Sequence, residues 1–188
     1  RSTLFPYTTL FRSGSATYKL LVAYSLLKRI DSGARSWDSD QACFNKMISL
    51  SDNACAESFL NAIGVNALTG EANSIGLKNS TFMKGGGPYT TANDQALLLG
   101  MIATGQNFSS ANQQRLLEAM KKNVFRKGIP AGVSGTVADK VGFMNGLLHD
   151  SAIVYGSHGT YVLSIMTDGA SWEAIADLAK QLDALRAQ

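Results

Sequence analysis

The stretch ADKVGFMNGLLHDSAIVYG, residues 138–156, decides the fold class. Its β-branched and aromatic residues fall in short runs, 137–143 and 151–155, broken by glycine, histidine and aspartate, and a third run covers 160–167. Such runs read as strands joined by hairpins, so the tail predicts a three-stranded antiparallel sheet. After them Ser171 is placed to cap a helix in which Trp172, Ile175, Ala176, Ala179, Leu182 and Leu185 make one apolar stripe, suited to covering a sheet face.

Upstream of the sheet the period changes. Residues 17–30 carry Leu20, Leu21, Ala23, Tyr24, Leu27 and Ile30 at three- and four-residue spacings, which predicts an amphipathic helix ended by Asp31-Ser32-Gly33. A shorter helix is expected around 42–48. Ser51-Asp52-Asn53 interrupts it, and 54–63 resumes as a helix stopped by Gly64. Residues 65–74 read as another short helix and KGGGPY, 84–89, as a loop. Thr91 and Ser110 are read as caps of helices reaching about Thr104 and Lys122. The middle is expected to be helical throughout, and a helical block followed by strands and a last helix is α+β in type.

Composition narrows the function classes. The chain has 188 residues, 45% hydrophobic and 16% charged, and this length supports a core without metal or disulfide staples. Seventeen Lys+Arg against 14 Asp+Glu leave a net charge of +3, and no basic cluster exceeds Lys121-Lys122, which argues against nucleic acid as a partner. The longest apolar-rich run, 20–27, is far short of the ~20 residues a membrane span needs. Residues 1–13, RSTLFPYTTLFRS, show no period and resemble a translated sequencing adapter more than a targeting peptide. They are set aside, with the expectation that the true N-terminus and any secretion signal are missing. The remaining domain is 14–188, with a helical lobe over about 16–125 and a sheet plus C-terminal helix over about 136–188.

Three polar groups stand out. Ser15 and Lys19 sit at the start of the first helix, Ser51-Asp52-Asn53 sits in an elbow between helices, and Lys140-Val141-Gly142 sits on the first strand of the tail. Taken singly, Ser15 and the Ser-Asp-Asn tripeptide are helix caps and Lys140 is a surface lysine on a strand. Taken together and in order, they match the S-x-x-K, S-D-N and K-T-G set of class A β-lactamases and penicillin-binding proteins.

Through ATYKLLVAYSLLKRIDSG (16–33), KMISLSDNACAE (46–57), TTANDQALLLGMI (90–102) and ADKVGFMNGLLHDSAIVYG, the chain resembles the β-lactamase-related serine hydrolases from about Gly14 onward. The resemblance implies a β-lactamase/transpeptidase-like fold lacking its N-terminal strands. It implies acylation at a Ser-Lys pair, with Lys19 as base, Ser51 relaying a proton to the leaving nitrogen, and Lys140 attracting the substrate carboxylate. Asn53 is expected to hydrogen-bond Lys19 or the substrate amide, Gly142 to let the ligand lie against the strand, and the Phe143 N–H to be an oxyanion donor. The implied ligand is a β-lactam or a peptidoglycan stem peptide. The protein is expected to be monomeric, periplasmic or extracellular, with no cofactor and no metal. A D-Ala-D-Ala-directed peptidase and a catalytically dead penicillin- or peptidoglycan-binding module are the alternatives.

Two departures qualify that resemblance. The family's serine stands three residues before the lysine, but that position is Ala16; Ser15 lies four before, about 100° away around an ideal helix. The family also deacylates with a Glu from the loop before the K-T-G strand. The glutamates here are Glu57, Glu71, Glu118 and Glu173, none within 82–94, and Glu71 is read as a surface residue. His149 and His158 are read as loop or turn residues without a chemical role. Cys43 and Cys55 flank the elbow, and both a disulfide and two buried thiols fit the sequence.

Overall fold

The computed structural model describes residues 16–83 and 87–186. A 3₁₀ turn, Ala16–Tyr18, leads into α1 (Lys19–Asp31), followed by α2 (Trp37–Ser49), α3 (Asn53–Ile63) and α4 (Val65–Ser74). A two-stranded antiparallel ladder of β1 (Thr81–Met83) and β2 (Gly87–Tyr89) precedes α5 (Ala92–Thr104) and α6 (Ser110–Lys121). A short α7 (Ile129–Gly132) then leads to β3 (Thr136–Met144), β4 (Leu147–Gly156), β5 (Gly159–Asp168) and α8 (Trp172–Leu185). The last three strands form one antiparallel sheet in the order β3-β4-β5, as the tail pattern predicts.

The sheet separates two apolar clusters. Strand alternation sends Ala138 and Ile153 to one face, where they join Leu116, Ala119 and Met120 of α6 and the buried length of α1. Val137, Ala152, Val154 and Ile165 face the other way and pack on Ile175 and Ala179 of α8. Helix α1 is the centre of the larger cluster: every residue from Lys19 to Leu27 is buried. Through Leu27 it is therefore buried on all sides, with α2, α3, α4 and α6 packed around it, and only its last turn, 28–31, reaches solvent. The α8 stripe ends sooner than the sequence suggests, because Leu185 runs past the sheet and is exposed.

Several boundaries move for local reasons. Helix α2 starts at Trp37, ahead of position 42, because the Trp37 ring packs edge-to-face on Phe44 and under the Arg115 guanidinium. The α6 cap is Ser109, not Ser110: its hydroxyl accepts from the Asn112 N–H at 3.2 Å. The middle is not wholly helical. The expected loop at 84–89 includes β2, whose Phe82–Pro88 and Thr81–Tyr89 pairings close a short hairpin; Thr69 Oγ1 holds its base, accepting from the Phe82 N–H at 2.9 Å. His149 is a buried residue of β4 paired with Gly142, not a loop residue, while His158 does occupy the turn between β4 and β5.

Two close approaches tie the pieces together. Cys43 and Cys55 form a disulfide with Cα atoms 5.2 Å apart, fastening α2 to the first turn of α3. At Gly132 a Cβ would stand 2.0 Å from the Ala176 carbonyl oxygen, so only glycine lets α7 lie against α8. Among the described residues, no helix is long and apolar enough to cross a membrane.

Candidate active site

Lys19 is the first residue of α1 and is completely buried at its N-terminal end. Its ammonium donates to the Ser51 carbonyl oxygen at 2.6 Å and to Asn53 Oδ1 at 2.7 Å, and lies 3.4 Å from Ser51 Oγ. From the opposite lobe, the equally buried Lys140 donates to Ser51 Oγ at 2.8 Å and to the Val141 carbonyl at 2.8 Å. The Ser51 hydroxyl thus lies between two lysines, accepting from Lys140 with its own proton left to give.

The elbow achieves this by an unusual turn. Ser51 adopts φ 59°, a left-handed conformation that costs a non-glycine residue about 1–2 kcal/mol. It reverses the chain between α2 and α3, so that the Ser51 carbonyl and the Asn53 amide meet the same ammonium. Asp52 then caps α3, accepting from the Cys55 N–H at 2.8 Å, and the disulfide fixes the helix that follows.

Burial sets the electrostatics. It lowers the Lys19 pKa to about 8, against the pull of the Asp52 and Glu57 carboxylates. It lowers Lys140 further, to about 7; the Lys19 charge pushes the same way, while Asp139 and Asp150 oppose it. Two amines that can shed protons near neutrality are suited to general-base work, which charged ammoniums are not.

The sequence reading missed what lies behind Lys140. Asp139 and Asp150 are buried on the opposite face of the sheet, the α8 face. Asp139 accepts from Asn123 Nδ2 and pairs with Arg126, while Asp150 Oδ2 accepts from the Ile129 N–H at 2.8 Å. Desolvation holds both carboxyls above the ordinary range despite Arg126. The available signal was strand parity: Asp139 occupies an inward position between Val137 and Val141, where only a partnered acid is tolerated.

Lys19, Ser51, Asn53 and Lys140 are brought together; the other candidates are arranged around them. Gly142 is buried on β3, and Phe143 after it presents a half-exposed ring. Ser15 lies outside the described residues. Ala16 opens the 3₁₀ turn before Lys19 and carries no nucleophile. Glu71 is not a free surface residue: it is ion-paired with Arg29 at 2.7 Å and accepts from the Ser25 hydroxyl.

A family model described as the β-lactamase enzyme family matches residues 39–185. No curated protein sequence matches the chain. Among solved structures, the β-lactamase from Sphaerobacter thermophilus is similar with a TM-score of 0.86 at 19% identity, over 97% of this chain and 86% of that one. The β-lactamase from Desulfarculus baarsii gives 0.83 at 20% identity, over 95% and 85%. A PBP-A mutant in its acyl-enzyme complex with penicillin G gives 0.85 at 19%, over 94% and 83%. At these identities the likeness establishes the fold.

Proposed function

Because the chain belongs to the β-lactamase enzyme family, we propose that its Lys19–Ser51–Lys140 cluster is the acyl-transfer site of a class A-like serine hydrolase taking β-lactams. The observation that carries this reading is the Ser51 hydroxyl held between two buried lysines at 2.8 and 3.4 Å. In the proposed cycle, neutral Lys19 takes the proton of Ser15, whose oxygen attacks the lactam carbonyl. The amide C–N bond breaks as Ser51 passes its proton to the leaving nitrogen and regains one from the protonated Lys19, 3.4 Å away, which returns that amine to its neutral form. Protonated Lys140 attracts the substrate carboxylate, Asn53 holds Lys19, Gly142 admits the ligand, and the Phe143 N–H steadies the oxyanion.

Deacylation is the slow step of this scheme. The chain has no glutamate within 82–94, and Glu71 is engaged by Arg29 and Ser25. The functional unit is the chain from residue 14 onward, a monomer acting on a small molecule and not on nucleic acid. Location in the periplasm or outside the cell fits the Cys43–Cys55 bridge, since disulfides persist in oxidising compartments.

One observation favours a second reading. Ala16 stands where the nucleophile is expected, and a site that keeps Ser51, Asn53 and Lys140 without it binds a β-lactam or a D-Ala-D-Ala stem reversibly. Loss of a nucleophile costs on the order of 10⁶-fold in turnover. Fluorescent penicillin and a chromogenic cephalosporin separate the cases. Ala16→Ser is expected to restore stoichiometric acylation, seen as a burst without sustained turnover. Rapid steady-state hydrolysis by the unaltered chain would identify Ser15 as the nucleophile, and a silent Ala16→Ser variant that still binds penicillin reversibly would establish the binding module.

A further inference from the structure

The hydroxyl of Ser51 has the surroundings of a nucleophile in its own right. A serine hydroxyl is a weak nucleophile until a base takes its proton. Lys140 Nζ lies 2.8 Å from Ser51 Oγ, within direct proton-transfer distance, and its other bond goes to the Val141 carbonyl at 2.8 Å. Lys19 and Lys140 are completely buried, whereas Ser51 is half-buried at the elbow. Of the three residues, only Ser51 is open to a reagent arriving from solution.

The two lysines divide the work. Lys140 gives up its proton first, at about pH 7, and Lys19 follows at about 8, so over that interval the pair holds one proton and Lys19 keeps it. Neutral Lys140 then turns its lone pair to the Ser51 O–H and still donates to the Val141 carbonyl. The three N–H groups of charged Lys19 are all accounted for: the Ser51 carbonyl at 2.6 Å, Asn53 Oδ1 at 2.7 Å and Ser51 Oγ at 3.4 Å. The last faces the oxygen on which negative charge grows as the proton leaves, and a charge-assisted bond there is among the stronger kinds. The carboxylates that act on the pair are Asp52 and Glu57 beside Lys19, and Asp139 and Asp150 beside Lys140; Asp139 is itself paired with Arg126. On β4 the Lys140 face carries Ser151, bonded to Ser164, and His149, which burial holds below its ordinary value and therefore uncharged in this interval.

We propose that Ser51 is itself acylated by aryl esters, and that this activity requires no serine at position 15 or 16. The Ser51 O–H passes its proton to Lys140 Nζ, Ser51 Oγ bonds to the ester carbonyl carbon, and the bond from that carbon to the aryl oxygen breaks. A phenolate leaves and an acyl ester remains on Ser51. Water then cleaves that ester to the carboxylic acid and restores the hydroxyl. The leaving group decides the class of donor. In the acyl-transfer scheme Ser51 protonates the departing nitrogen; with Ser51 as nucleophile that proton source is spent, so the leaving group must depart as a weakly basic anion. The activity is separate from β-lactam acyl transfer, in which Ser51 only relays a proton.

The test is p-nitrophenyl acetate with the unaltered full-length chain. Tandem mass spectrometry is expected to place an acetyl group on Ser51, and hydroxylamine to remove it, as it removes esters but not the amides formed on lysine. The labelling rate should rise through about pH 7 as Lys140 becomes neutral and fall above about 8 as Lys19 loses its charge. Ser51→Ala should abolish the label at that position together with the matching phenolate release. Lys140→Met should slow labelling of Ser51 by about 10²-fold or more, the usual worth of a general base. Circular dichroism confirms that each variant is folded, and the residue-resolved label on the unaltered chain decides the matter if one is not. Acetyl groups found only on lysines or on Ser15, phenolate release unchanged in Ser51→Ala, or labelling of Ser51 as fast in Lys140→Met as in the parent overturns the proposal. Fluorescent penicillin with Ala16→Ser tests the acyl-transfer scheme separately, because its label falls on residue 16.

Discussion

Lys140→Met should make the protein more stable at mildly acid pH. Lys140 is fully buried with a folded-state pKa near 7, against 10.5 for an ordinary lysine. At about 1.36 kcal/mol per pH unit, that difference means the folded chain carries a cost on the order of 5 kcal/mol, from burial first and the Lys19 charge second, wherever the lysine is protonated in both states. The sign follows from proton counts. Below about pH 7 folded and unfolded chains both hold the proton and the whole cost is present; between about 7 and 10.5 only the unfolded chain holds it, so stability rises with pH. Methionine fills nearly the same volume without the charge but forfeits the bonds to Ser51 Oγ and the Val141 carbonyl, together worth about 1–2 kcal/mol for a neutral amine. The variant should therefore gain about 3 kcal/mol near pH 6. By about pH 9.5, where only on the order of 1 kcal/mol of the cost remains, the gain should be close to zero. Urea titrations followed by circular dichroism at the two pH values measure both numbers. A variant less stable than the parent near pH 6, or a difference that does not change with pH, refutes the claim that Lys140 is buried at the expense of stability.

Two further perturbations check the framework. Opening the Cys43–Cys55 bridge, which closes a span of 12 residues, should cost about 3 kcal/mol, read from urea midpoints of oxidised and reduced protein; a change under about 1 kcal/mol would mean that packing alone holds the elbow. Gly132→Ala should cost at least about 3 kcal/mol in the same assay, because both partners of the clash with Ala176 O are backbone; an unaffected midpoint would show that α7 shifts freely over α8.

Much of the fold was legible because its signals are local. The alternation in 137–167, the 3.6-residue period of 17–30 and the Thr91 and Ser171 caps all act within a few residues. What escaped depends on distant partners. The β1–β2 hairpin has three-residue strands, one holding Gly87-Pro88, and its base is held by Thr69 from α4. Helix α2 begins early because Trp37 rests on Phe44 and Arg115. The same distinction applies to the site. Lys19, Ser51, Asn53 and Lys140 were readable as a spaced set, whereas the Asp139–Arg126 pair carries no motif of its own. Nor does spacing reveal that Ser51 takes a left-handed turn or that Phe143 meets Trp172.

The hydrogen bond from Lys140 to Ser51 spans 89 positions of the chain, whereas that from Lys19 to Ser51 spans 32. The two should therefore form at different stages of folding, the Lys19 bond first. Closing the shorter loop needs only α1, the elbow and α3, elements whose contacts are largely local and come together early. Lys140 can reach Ser51 only after the sheet has docked on the helical block, and until then its ammonium stays hydrated, because nothing has yet excluded water from it. Desolvating that charge falls at the last step, so acid conditions should slow the docking of the two lobes more than the collapse of either. A ligand whose carboxylate meets Lys140 binds only the docked form, and it should retard unfolding in proportion to its occupancy.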